Sequence, residues 1–137
     1  MNFRIKQKGA GFKTRMYPIA SATEIKAGDI VGVTSQKVVK AGAATTAIAY
    51  AINGSAVGET LIEVTEGNDF TLVGTGDAVY ADNMKGSEVD LVVSGTTQLI
   101  DVGSSETDVF EMVIAKDAGV VGSAENIEVK INKPITF

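Results

Sequence analysis

The sequence lacks three residue types on which much protein chemistry depends. None of its 137 residues is cysteine, histidine or tryptophan. Without cysteine, disulfides, thiolate metal sites and cysteine nucleophiles are excluded. Without histidine, the usual general base near neutral pH and the commonest metal ligand are missing. We therefore expect no enzyme, and we predict no catalytic residue, no metal site and no cofactor.

Proline and long hydrophobic runs are also scarce. The chain has 2 prolines against 15 glycines, and its hydrophobic share is 45%. No apolar run approaches the roughly 18 residues that a membrane-spanning helix needs. The basic N-terminus is not followed by the apolar core of a signal peptide. The sequence thus predicts a soluble protein with no membrane partner.

What the sequence does contain is a series of short β-branched runs separated by glycine turns. Such runs are typical of strands, and Asn53-Gly54 is a strong tight-turn signal. The fold class we predict is all-β: one small domain that is a β-barrel, a β-tulip-like fold or a sandwich, with an extended N-terminal arm. One short helix is allowed. Strands are predicted at 2–8, 14–19, 30–33, 38–39, 46–52, 61–65, 70–73, 78–81, 91–93, 98–102, 109–115 and 127–132.

The alternation of apolar and polar residues also predicts which side chains are buried. In residues 127–132, for example, Ile127 and Val129 lie on one face and Glu128 and Lys130 on the other. The predicted core consists of Ile30, Val31, Val33, Val39, Ile48, Ile52, Ile62, Val64, Phe70, Leu72, Val79, Val113, Ile127 and Val129.

Charge is distributed unevenly along the chain. The first fifteen residues carry five cations and no acid, whereas the rest carries 7 cations and all 17 acids. We therefore divide the chain into a basic arm, residues 1–16, and a β-domain, residues 17–137, in which 82–108 is a candidate insertion. Such asymmetry is typical of an arm that meets an acidic partner. The predicted partner-binding residues are Phe3, Arg4, Ile5, Lys6, Lys8, Phe12, Lys13 and Arg15.

Of two other interpretations of this basic segment, one stays open and the other is disfavoured. The lysines are equally compatible with a solvated edge strand, in which they discourage edge-to-edge pairing. Nucleic acid is disfavoured as a partner, because a body of net charge −10 repels phosphates and no basic groove with interleaved aromatic residues is visible.

Several reactive constellations can be formally proposed, and each has a simpler explanation. Ser35 and Lys37 share one strand face, but they sit in a polar turn. Glu63 with Asp69, or Asp77 with Asp82, could serve as a glycosidase pair, but few aromatic platforms accompany them. The 82–86 stretch, Asp-Asn-Met-Lys-Gly, has methionine where a calcium loop needs a ligand. No phosphate-binding loop is complete.

Several turn-and-strand phrases together resemble the small capsid decoration proteins of tailed bacteriophages. The opening phrase runs from Ser21 to Val33 and continues through Lys37-Val38-Val39-Lys40-Ala41-Gly42. Ile48-Ala49-Tyr50-Ala51-Ile52 and the 58–64 stretch, Gly-Glu-Thr-Leu-Ile-Glu-Val, follow it. Gly76-Asp77-Ala78-Val79-Tyr80 completes the series. The resemblance covers about residues 20–82 and, more loosely, 109–131. It does not extend to residues 1–15 or 82–108.

This resemblance implies a cement protein on the outer surface of the expanded virion head, made in the host cytoplasm. It implies the major capsid protein as partner, a homotrimer, and neither a small-molecule substrate nor a nucleic acid. The arm, with Gly9 and Gly11 as hinges, would add a strand to a capsid protein's edge. The alternative is another β-rich phage component of the head–tail junction, the tail or the fibre base.

Overall fold

The chain folds into β-strands throughout the residues that the computed structural model describes, which are 2–20, 24–55, 59–79, 85–113 and 124–137. These residues contain no helix, so the all-β prediction is confirmed and the allowed short helix is not found among them. The strands are β1 (Phe3–Lys8), β2 (Lys13–Pro18), β3 (Ile30–Thr34), β4 (Lys37–Lys40), β5 (Ala49–Tyr50), β6 (Leu61–Glu66), β7 (Phe70–Gly74), β8 (Glu88–Ser94), β9 (Thr97–Asp101), β10 (Phe110–Met112) and β11 (Ile127–Ile131).

The strands form three sheets. A six-stranded sheet has the order β1-β7-β11-β10-β8-β9, a three-stranded sheet has the order β4-β3-β5, and β2 pairs with β6. Single bridges join the two smaller sheets, from Ala51 to Val64 and from Ile19 to Val38. None of the sheets closes into a barrel, and the architecture is that of a small sandwich-like domain.

Two apolar clusters hold these sheets together, and β3 contributes to both. Ile30 belongs to the larger cluster, which the inner face of the six-stranded sheet supplies. Its neighbour Val31 belongs to the smaller cluster, which includes Ile62 and Val64 of β6. Since successive strand residues point to opposite faces, the three-stranded sheet is buried on both sides along β3. This burial explains the near-continuous apolar sequence of that strand.

Most of the predicted core is confirmed. Nine of its residues are buried: Ile30, Val31, Ile48, Ile62, Val64, Phe70, Leu72, Ile127 and Val129. Val33, Val39, Ile52 and Val113 are only half-buried. The prediction that Val79 is buried is wrong, since this side chain is 54% exposed. Neither Ala78 nor Val79 belongs to a strand, and the rest of the predicted 78–81 strand lies outside the described residues.

The β8–β9 hairpin, predicted from the 91–102 pattern, is confirmed and is built into the six-stranded sheet. Its Gln98 side chain is buried and joins the hairpin to the three-stranded sheet. The Gln98 amide oxygen accepts from the Ile30 amide at 2.7 Å, and its nitrogen donates to the carbonyls of Ile30 and Ala41 at 2.8 and 2.9 Å. The described part of the candidate insertion 82–108 is therefore integral to the packing of the domain.

The expectation of an extended arm over residues 1–16 is corrected by the structure. β1 pairs with β7 in register from Phe3 opposite Gly74 to Lys8 opposite Phe70. β2 pairs with β6 along its whole length. Phe3 is 1% exposed and packs against Phe110, with ring centroids 5.5 Å apart. The basic segment is thus part of the folded domain, because its apolar side chains have partners in the domain's own core.

Candidate partner-binding surface

Strand β1 lies at the edge of the six-stranded sheet. One side of the strand pairs with β7, with a β-bulge between Ile5 and Gln7. On the other side, the Phe3 amide donates to the Gly28 carbonyl at 3.0 Å. The Tyr50 hydroxyl donates to the Phe3 carbonyl at 3.4 Å, and burial raises the pKa of that phenol. These contacts cover only the start of the free edge.

The three cations of β1 are exposed, and they differ in the contacts that their side chains make. Arg4 Nη2 donates to Asn126 Oδ1 at 3.1 Å. The Lys8 ammonium lies 4.8 Å from the centroid of the Phe12 ring, which is a cation–π distance. Lys6, at the bulge, has no hydrogen-bond or ion-pair partner among the described residues. Its charge is therefore available to a partner.

The turn from β1 to β2 is fixed by Asp69. The Gly9 amide donates to the Asp69 carbonyl at 2.9 Å, and the Gly11 amide donates to Asp69 Oδ2 at 2.6 Å. A Cβ atom at either glycine would collide with the Asp69 carboxyl group. The two glycines thus allow the carboxylate to approach the backbone. This close packing corrects the expectation that they act as hinges.

The cations of β2 share one carboxylate. Arg15 Nη1 lies 3.0 Å from Glu66 Oε1, and Lys13 Nζ lies 3.6 Å from Glu66 Oε2. The Arg15 guanidinium also lies over the rings of Phe137, at 5.1 Å, and Tyr17, at 5.8 Å. A second acid lies against the same strand, because Glu63 accepts a hydrogen bond from the Thr14 hydroxyl.

A groove of about 550 Å³ runs beside the free edge of β1. One wall is the edge itself and the other is supplied by Tyr50, the last residue of β5, and by Ile52 after it. The groove combines an apolar floor with two lysines at its rim. It is lined by Ile5, Lys6, Gln7, Lys8, Tyr50 and Ile52.

The structure brings the predicted partner-binding residues together only in part. Arg4, Lys6, Lys8, Lys13 and Arg15 are exposed on two consecutive strands. Three apolar members of the set belong to the core instead. Phe3 is buried, while Ile5 and Phe12 are half-buried against the larger cluster. Phe12 meets Phe70 edge to face at 5.6 Å.

A second polar feature lies at the far end of the β8–β9 hairpin, around the buried carboxylate of Asp90. It accepts hydrogen bonds of 2.8–3.0 Å from the Ser104 hydroxyl and from the amides of Glu106, Thr107 and Asp108. Burial alone would raise the pKa of Asp90, but these donors outweigh it and lower the pKa to about 2. The carboxylate therefore organises the 104–108 loop.

Asp101 lies opposite Asp90 in the hairpin register. Burial raises the pKa of Asp101, and so do a hydrogen bond to Asp77 and repulsion from Asp77, Asp90 and Glu106. Asp77 in turn accepts from the Val102 amide at 3.0 Å. The acids lie close together, but in the part of the chain that the structure describes no group of three metal-ligating side chains is placed to hold a metal ion.

The formal catalytic pairs gain no support from the geometry. Glu63 Oε2 accepts from the Thr14 hydroxyl at 2.6 Å, and its Oε1 accepts from the Asn53 amide at 2.9 Å. Its proposed partner Asp69 caps the β1–β2 turn. Asp82, the proposed partner of Asp77, lies outside the described residues, as does most of the 82–86 loop.

The Ser35–Lys37 pair also gains no support from the geometry. Ser35 is exposed at a turn with a positive φ of 51°, and Lys37 is exposed beside it.

Within the described ranges no helix has the length and apolarity to cross a membrane.

Sequence reasoning missed the residues that organise the loops, namely Asp69, Asp90 and Gln98. A signal existed for Gln98, since it alternates in phase with Ile100 and therefore faces the core. A signal also existed for Asp69, which ends a Gly-Asn-Asp turn. For Asp90 there was none, because its donors are a hydroxyl 14 residues and amides 16–18 residues further along the chain.

We compared the chain with protein-family models, with curated proteins and with solved structures. None of the three comparisons gives a match. Functional inference therefore depends on the residues and the geometry of this chain.

Proposed function

We propose that this protein is a structural component of a tailed-phage virion that binds the outer surface of the expanded head and stabilises it. In this role it clamps neighbouring capsomers and needs neither a catalytic residue nor a cofactor. The turn-and-strand phrases of residues 20–82 favour this proposal. Their described parts form β3 to β7, which supply residues to both cores.

The observation that carries the proposal is the concentration of cations on the first two strands of an otherwise acidic chain. Five exposed cations lie on β1 and β2, whereas the remainder of the chain has a net charge of −10. Lys6 has no partner of its own among the described residues, and Lys13 and Arg15 share one. A patch of this kind steers a protein toward an acidic surface and orients it there. We propose that the acidic surface belongs to the major capsid protein.

Sedimentation with purified heads tests the proposal. Heads of the phage that encodes this chain would be stripped of decoration and prepared in expanded and unexpanded forms. We expect saturable binding to expanded heads at a fixed copy number per capsomer, and weaker binding as salt rises. Unexpanded heads are the matched control, and they should not bind the protein.

Two results would contradict the proposal. One is absence of binding to expanded heads at every salt concentration. The other is a location in intact particles at a single vertex or along the tail, which would favour a head–tail, tail or fibre-base component instead. A trimer in solution, measured by light scattering, is the assembly state we expect.

A further inference from the structure

The groove beside β1 has the dimensions and chemistry of a site for an extended chain. At one end it is closed by the contacts of Phe3 with Gly28 and Tyr50. At the other end the β1–β2 turn, pinned on Asp69, closes it. Between them about four residues of edge remain, and the volume of about 550 Å³ is open beside them.

Backbone groups of β1 face this groove. In an antiparallel strand the N–H and C=O groups of alternate residues point to the same edge. Those of Phe3 point away from β7, toward Gly28 and Tyr50. Those of Ile5 therefore point the same way, into the groove. Among the described strands none pairs with this edge. An incoming strand would find a donor and an acceptor there.

The side chains that line the groove select the kind of strand. Ile5 and Ile52 are half-buried and offer an apolar floor, whereas Lys6 and Lys8 stand at the rim. Lysines and a bulge protect an edge against neutral or cationic strands. An acidic strand meets no such penalty, because its carboxylates pair with the lysines. The same features that oppose pairing in general thus favour one class of partner.

A second copy of β1 fits this edge poorly. Pairing of two β1 edges would bring Lys6 and Lys8 of one copy against those of the other, and like charges facing each other across strands are destabilising. The occupant that fits is a segment of different sequence that carries carboxylates at alternate positions.

We propose that the groove beside β1 binds an extended acidic segment of a partner protein, which adds as a strand to the β1 edge. The identification of that partner as a capsid protein rests on the proposed function; the chemistry of the groove does not.

A peptide titration tests the groove directly. The probes are two synthetic peptides, acetyl-Glu-Val-Glu-Val-Glu-amide and the matched acetyl-Lys-Val-Lys-Val-Lys-amide. We expect the acidic peptide alone to shift the amide resonances of residues 5–8 and of Ile52, with saturation. We also expect slower hydrogen exchange at the Ile5 amide, since strand addition gives that group a hydrogen-bond partner.

Charge-reversal variants provide the control. The double variant Lys6→Glu with Lys8→Glu should weaken binding of the acidic peptide by about tenfold or more. The double variant Lys37→Glu with Lys85→Glu changes the net charge equally at two exposed lysines outside the groove, and it should bind like the wild type.

The outcomes separate this inference from the proposed function. The groove proposal would be overturned if the acidic peptide showed no saturable binding. It would also be overturned if the resonance shifts centred on Lys13 and Arg15, without slower hydrogen exchange at Ile5. Unchanged head binding by the Lys6 and Lys8 double variant would overturn the identification of the groove's partner as a capsid protein, while the proposed function would stand. Binding of the acidic peptide in the groove, without any binding to heads, would support the groove proposal and refute the proposed function.

Discussion

Asp90 and Asp101 face each other across one hairpin, yet their surroundings move their proton affinities in opposite directions. Asp90 is surrounded by amide and hydroxyl donors, which favour its charged form. Asp101 is partly buried and lies near other acids, and both its burial and these neighbours favour its protonated form. The two residues therefore affect stability in different pH ranges, and each can be tested by itself.

Replacement of Asp90 by asparagine should destabilise the protein by about 2 kcal/mol at pH 7, because a charged acceptor of several hydrogen bonds is lost. The folded pKa of about 2 lies below 3.8, the ordinary pKa of an aspartate side chain. The stabilisation is thus fully present above the unfolded value and is lost as pH falls through the folded pKa. Urea unfolding from pH 2 to 7 should show this acid-side loss in the wild type and not in the variant. Glu88→Gln, at an exposed carboxylate of the same strand, is the control and should keep the wild-type profile.

Replacement of Asp101 by asparagine should have the opposite sign. The pKa of Asp101 is raised in the folded state, so its protonation stabilises the fold below the unfolded value, and this contribution is lost as pH rises through the folded pKa. At pH 7 the charged side chain repels Asp77 and Asp90. We expect the variant to be more stable than the wild type by about 1 kcal/mol at pH 7, with a smaller difference at pH 4. Equal differences at the two pH values in urea unfolding would contradict this account.

At the scale of single elements, β1 is held to the domain by Phe3, whose ring covers Gly74 of β7. A Cβ atom at Gly74 would collide with that ring. The substitution Gly74→Ala should therefore displace Phe3 and cost about 1–3 kcal/mol in the free energy of unfolding, measured by chemical denaturation. Gly42→Ala is the matched control, because the Cβ atom there meets open space, and it should change stability by less than about 0.5 kcal/mol.

The β8–β9 hairpin depends on Gln98 for its contact with the three-stranded sheet. Gln98→Leu keeps the volume but leaves the Ile30 amide and the Ala41 carbonyl without their partner, while the Ile30 carbonyl still accepts from the Ala41 amide at 3.0 Å. Each buried group left unpaired costs about 1–3 kcal/mol, so we expect a loss of about 3 kcal/mol or more in denaturant unfolding. Ser94→Ala, at the exposed tip of the same hairpin, should have little effect. A near-neutral Gln98→Leu would show that the amide does not join the sheets.

The elements differ in how far the sequence predicts them. The alternation in β1, β11 and the β8–β9 hairpin correctly predicted extended strands, and in β11 it also predicted the buried face, because side-chain direction in a strand follows from local order. The pairing of β1 with β7 was not predictable, since it joins residues more than 60 positions apart and the basic charge of β1 suggested an arm. The cations of β1 and β2 stand out in the charge distribution of the sequence, whereas the groove beside β1 depends on where β5 lies.

At the scale of the whole molecule, five exposed cations are concentrated on two consecutive strands of a chain whose net charge is −5. The cations of β1 and β2 lie on strands that are paired within the domain, so the binding that we propose would not require a flexible segment to become ordered. Binding then avoids most of the entropy cost that a disordered arm would incur. Association should depend strongly on salt and on these few lysines and arginines.

The most direct test of the central claim, that the basic edge of this acidic domain is its partner-binding surface, is the occupancy of expanded heads by charge-reversed proteins at one fixed salt concentration. The account predicts that the Lys6 and Lys8 double variant binds at least about tenfold more weakly than the wild type. The Lys37 and Lys85 double variant, with the same net charge, should fill the same number of sites as the wild type. Equal weakening of the two variants would mean that net charge alone governs binding, and undiminished binding by both would place the binding surface elsewhere.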